Sequence, residues 1–73
     1  MARVTVKSEI TGNMWKIETA VGDHVEDEQQ VAIIESMKME IPVIATAAGT
    51  VVEILIAEGD SITEDQAVLV IET

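Results

Sequence analysis

Lys38 is the side chain in this 73-residue sequence best equipped for covalent chemistry, because it stands between two thioethers, Met37 and Met39, with Ser36, Glu35 and Glu40 just outside them. It is also the last of only four basic residues. A primary amine attacks an activated acyl group only in its neutral form. A lysine near neutral pH holds about 0.1% of that form, so a site of this kind leaves activation to an enzyme and contributes geometry. The flanking methionines suit that role as soft, adaptable contact surface. Composition alone would make Lys38 a solvated turn residue; its Met-Lys-Met setting, at the pivot of a duplication described next, argues instead for a presented amine.

No other constellation competes. His24 follows Gly22-Asp23 as an exposed turn residue, and one histidine among scattered carboxylates does not specify a metal site. Glu26-Asp27-Glu28 lacks the alternating ligands and central glycine of a calcium loop and is a solvated turn. Trp15 is assigned to core or half-buried packing. With no nucleophile–base–acid set and no phosphate-binding glycine loop, the chain is not expected to be a catalyst.

The elements that must position Lys38 follow from a repeat. Sliding the sequence by 37 positions aligns 12–36 with 49–73 without gaps, giving nine identities in twenty-five. They are Gly12/Gly49, Ile17/Ile54, Ala20/Ala57, Gly22/Gly59, Asp23/Asp60, Gln29/Gln66, Val31/Val68, Ile34/Ile71 and Glu35/Glu72. Val4 and Val6 likewise match Ile41 and Val43, so the repeats cover about 3–36 and 40–73, leaving only Met37-Lys38-Met39 between them.

Each half reads as about four short strands. Val4-Thr5-Val6 and Ile41-Pro42-Val43 alternate, and Val51 to Ile56 is rich in β-branched residues. Pro42 belongs at an edge or a strand start. Gly22-Asp23 and Gly59-Asp60 are matched turns, as are the polar loops 26–28 and 63–65. Residues 26–41 have some helical character, but their counterpart 66–73 is a good strand and a poor helix, and duplicated halves share a fold. The expectation is one all-β domain over 1–73: a pseudo-two-fold flattened barrel or sandwich of two four-stranded antiparallel sheets. Under that symmetry Lys38 lies on a hairpin turn at one end, with both termini at the other.

Glu35-Ser36-Met37-Lys38-Met39-Glu40-Ile41-Pro42 resembles the biotin-acceptor loop of biotinyl domains, the carrier modules of biotin-dependent carboxylases. The resemblance implies the barrel-sandwich hybrid, or hammerhead, fold. It implies covalent biotin on Lys38, with Met37, Met39, Glu35 and Ser36 recognised by a biotin protein ligase. Biotin carboxylase and carboxyltransferase are then the partners between which a swinging arm carries carboxylate. Ser36 stands where the family most often has Ala. Gly12-Asn13-Met14-Trp15-Lys16 is similar to a Gly-x-x-Trp-Lys strand of the family, whereas Glu9-Ile10-Thr11 departs from its usual Pro-Met. Related lipoyl domains put their lysine on the same turn in an Asp-Lys-Ala context, so Met-Lys-Met favours biotin over lipoate. The gapless repeat leaves no room for the protruding segment that some biotinyl domains carry.

Composition bounds the alternatives. A charge of −10 from 14 acidic and 4 basic residues opposes binding to nucleic acid or to an anionic membrane. The longest uncharged stretch, Ile41 to Val52, is too short to span a bilayer and holds Pro42 and Gly49. With no cysteine there is neither a disulfide framework nor a thiolate metal site, and a cytoplasmic location is expected. The function classes are, in order, a biotin carboxyl carrier (a separate subunit or a module of a larger carboxylase), a lipoyl carrier of a 2-oxo acid dehydrogenase-type system, and an unmodified interaction adaptor.

Overall fold

The structure, a computed structural model, describes residues 2–73. Eight strands follow one another: β1 (Arg3–Lys7), β2 (Gly12–Ile17), β3 (His24–Val25), β4 (Gln30–Ser36), β5 (Met39–Ile44), β6 (Gly49–Ile54), β7 (Ser61–Ile62) and β8 (Ala67–Glu72). No helix forms among the described residues, so the helical character of 26–41 yields to strand pairing. Leu55 and Ile56 lie just past the end of β6, where Leu55 N–H leaves the ladder to bond Val68 O.

Two antiparallel four-stranded sheets result, ordered β1-β8-β6-β3 and β5-β4-β2-β7. Adding 37 to any strand of the first half gives its equivalent in the second, and that operation turns one sheet into the other. Each sheet therefore takes two strands from each repeat. β2–β4 and β6–β8 pair within their own repeats, but each sheet is completed by two strands of the other repeat.

The two-fold extends to single hydrogen bonds. Gly22 N–H bonds Val51 O and Gly59 N–H bonds Met14 O, both at 2.7 Å. Asp23 Oδ2 accepts from Ala20 N–H and Asp60 Oδ2 from Ala57 N–H, both at 2.9 Å. Gln29 and Gln66 use their amide oxygens to hold Glu26 N–H and Thr63 N–H. The polar identities of the repeat are thus turn locks. Val31 and Val68 are bulged residues in β4 and β8 that bury their side chains while offering their carbonyls to Glu18 and Leu55 N–H.

Gly12 and Gly49 are fixed by close approach. A Cβ on Gly12 would meet Glu35 O at 2.5 Å and Ile34 Cγ2 at 2.8 Å, and one on Gly49 would strike Glu72 O and Ile71 Cγ2 in the same way. The core between the sheets holds Val6, Met14, Val25, Val31, Ile34, Val51, Ile62, Val68, Leu69 and Ile71. At about 1.5–3 kcal/mol per fully buried side chain of this size, these residues offset the ordering of a chain with no disulfide. Pro42 lies in edge strand β5, opposite Ile33, where its missing N–H leaves no ladder bond unmade.

Candidate functional site

β4 and β5 pair without irregularity from Ile33↔Pro42 to Ser36↔Met39, and Met37-Lys38 closes the hairpin. Both turn residues have positive φ, 50° at Met37 and 66° at Lys38. That is the type I′ geometry, whose twist matches the flanking strands and which Asn-Gly satisfies at least cost. A Met-Lys pair there forfeits about 1–2 kcal/mol per residue. The ladder below holds this unfavoured turn in place. Glu28 and Asp65, in the matched polar loops, also have positive φ (68° and 69°), so what sets this turn apart is two such residues in succession with an exposed amine on the second.

The turn projects its side chains. Met37 is 92% exposed and Met39 63%, and Lys38 is exposed between them. The ion pairs among the described residues are Arg3–Glu72 and His24–Glu26, so Lys38 Nζ is held by neither. Below the turn, Ser36 donates its hydroxyl to Thr11 O at 2.9 Å, tying the hairpin to the β1–β2 loop. Thr11 in turn accepts Glu64 N–H on its hydroxyl at 3.2 Å, which brings in the β7–β8 turn. Thr11 was not legible as part of the site, because its two roles depend on segments remote in sequence.

Each residue picked from the sequence therefore has a place. Lys38, Met37 and Met39 share the tip; Glu35 is exposed one step below, and Ser36 is turned to a structural bond. Glu40 is the register partner of Glu35. The other candidates lie elsewhere: His24 is an exposed residue beside Glu26 (3.2 Å), and Trp15, 44% exposed, sits at the β2 bulge with Lys16 Nζ 5.4 Å from its ring centroid. No group of acidic or histidine residues able to hold a metal occurs among the described residues, and none of the strands is joined by a membrane-length apolar helix.

The hairpin tip is opposed to Ala2 and Thr73. Ser8, next to the loop that anchors Ser36, exchanges backbone bonds with Asp65 and Gln66 at the start of β8. β8 then runs away from the hairpin and finishes where Thr73 N–H bonds Ala2 O at 2.9 Å. In a body 37 × 17 × 17 Å, the hairpin tip and the Ala2–Thr73 contact lie toward opposite ends.

A duplicated eight-stranded barrel-sandwich with a lysine on its central hairpin is the architecture of an attachment domain. The profile of the family described as "Biotin-requiring enzyme" matches residues 4–72. A biotin/lipoyl attachment protein of Bacillus subtilis (strain 168) is 46% identical over 66 residues, 90% of each chain. A biotinylated protein TB7.3 homolog of Mycobacterium leprae (strain TN) is 35% identical over 66 residues, 90% of this chain and 93% of that one. The crystal structure of Kluyveromyces lactis urea carboxylase superposes with a TM-score of 0.92 at 44% identity over 99% of this chain, which spans 6% of that much longer one. The chain belongs to the biotin/lipoyl attachment family, as a cofactor-carrier domain.

Proposed function

We propose that Lys38 bears biotin as an amide on Nζ and that the domain carries carboxyl groups between two active sites of a biotin-dependent carboxylase. The observation that carries this reading is the exposed Met37-Lys38 turn, kept in a costly backbone geometry where Asn-Gly would be cheaper.

The chain's own residues do the positioning. β4 and β5 form a stiff post, Ser36 braces it through Thr11, and the turn holds the amine clear of the sheets so that a ligase cleft can close around it. Met37 and Met39 supply polarisable apolar contact on either side. The neutral Lys38 amine attacks the carbonyl of a biotinyl-adenylate made by the ligase; the amide forms, AMP leaves and the amine proton passes to a base of the ligase or to water. The amine and the turn fit this attachment because Lys38 is exposed and no ion pair among the described residues holds Nζ. Biotin so held supplies the ureido nitrogen on which carboxyl is transferred. Tethering makes each delivery effectively intramolecular, so weak docking to biotin carboxylase and carboxyltransferase suffices. A biotin protein ligase is the loading partner, and the cytoplasm, where ATP is available to it, is the working compartment.

Lipoate is the second reading, since the family covers both cofactors. Competition separates them. The protein is offered ATP with biotin and a biotin ligase, or with lipoate and a lipoate ligase, and the intact mass is read. A biotinyl adduct at the faster rate supports the proposal; a lipoyl adduct alone replaces it.

A further inference from the structure

We propose that Met37 and Met39 form a peroxide-sensitive modification site whose oxidation to sulfoxides blocks loading of Lys38. The inference rests on the carrier reading and adds a control to it.

Four methionines occur in the chain: Met1, Met14, Met37 and Met39. Met14 is 1% exposed, packed in the core between the sheets. Met37 and Met39 show the opposite extreme, at 92% and 63%. A thioether at that exposure gains no packing in the free domain, so its presence is unexplained by folding. Both sulfur-bearing side chains immediately flank the one amine on the turn, and the positive φ of Met37 would be better met by Asn or Gly, so backbone geometry does not account for a methionine there.

The chemistry balances with a hydroperoxide as the oxidant. The sulfur lone pair attacks the terminal oxygen of the peroxide, the O–O bond breaks, one oxygen is transferred to sulfur and the reduced peroxide leaves as water or an alcohol. Sulfur is oxidised by two electrons and the peroxide reduced by two. Each event turns a flexible apolar side chain into a polar, chiral one and is reversed by methionine sulfoxide reductases. A cleft that accepts two thioethers must then bury two strong acceptors beside the reacting amine, and unpartnered acceptors oppose binding. Core Met14 keeps its thioether as long as the sheets stay together, so the fold survives the switch.

The test uses the whole chain, treated with dilute hydrogen peroxide and mapped by peptide fragmentation, then loaded with biotin by a biotin ligase. Oxygen is expected on Met37 and Met39 while Met14 stays unoxidised, with a roughly tenfold or greater fall in the loading rate constant, about 1.4 kcal/mol, restored by sulfoxide reductases. The double variant M37L/M39L keeps apolar bulk without sulfur and is expected to load at a rate that peroxide does not change. Unchanged loading of the doubly oxidised protein overturns the inference, as does equal slowing of the peroxide-treated M37L/M39L variant. Failure of the untreated protein to acquire biotin on Lys38 overturns the carrier reading itself, so the two failures are distinguishable.

Discussion

Glu35 and Glu40 face each other across β4 and β5, one register step below the Ser36–Met39 pair that carries the Met37-Lys38 turn. Like charges directly opposite destabilise a sheet, so this pair is not there for the hairpin's sake. Replacing Glu40 by Gln is expected to stabilise the domain by a few tenths of a kcal/mol, seen as a rise in Tm of about 1–3 °C. If the ligase reads the two carboxylates, the same variant loads more slowly although it is more stable. A lower Tm would show that the pair is stabilised by something other than solvent.

The turn itself offers a stability–function trade. M37N/K38G puts the residues preferred by type I′ geometry at both positive-φ positions. Gly relieves one position fully and Asn the other in part, so the variant is expected to gain at least about 1–2 kcal/mol of stability while losing modification entirely. Chemical denaturation checks the first part and intact mass the second; a less stable variant would refute the cost assigned to Met-Lys.

Gly12 and Gly49 test the pseudo-symmetry. Ala at either position drives a Cβ into a facing carbonyl and an isoleucine methyl, and overpacking of this kind costs about 1–3 kcal/mol. Because the two environments are related by the same two-fold, G12A and G49A are expected to lose similar amounts. A large inequality, measured by denaturant midpoints, would mean that one site relaxes where the other does not.

Ser36 separates bracing from recognition. S36A removes the bond to Thr11 O and is expected to cost no more than about 1 kcal/mol, with loading almost unchanged. A steep loss of loading at near-normal Tm would make the hydroxyl part of what the ligase reads.

Much of this architecture was legible in the repeat. Gly22-Asp23/Gly59-Asp60 and the polar loops 26–28/63–65 read as matched pairs, and in the structure Asp23/Asp60 and Gln29/Gln66 make the same bond in each half. Pro42 pointed to an edge and lies on one. The interleaving of the halves was not legible, because alternation reveals which face of a strand is buried but not which strand pairs with it. The turn type was hidden for a different reason. Met-Lys carries no turn chemistry, so the hairpin followed from the duplication and its backbone geometry only from the structure. Thr11 escaped because a carbonyl and a hydroxyl acting on remote segments leave no local pattern.

The central claim is that one amine, on Lys38, takes the cofactor. The most direct measurement is the intact mass of the wild-type chain and of K38R, each incubated with ATP, biotin and a biotin ligase, with fragmentation to locate the adduct. Arg keeps the charge but cannot form the amide, so one biotinyl group on Lys38 in the wild type and none on K38R is the expected result. An adduct that persists on K38R, or one found on Lys7 or Lys16 of the wild type, would contradict it.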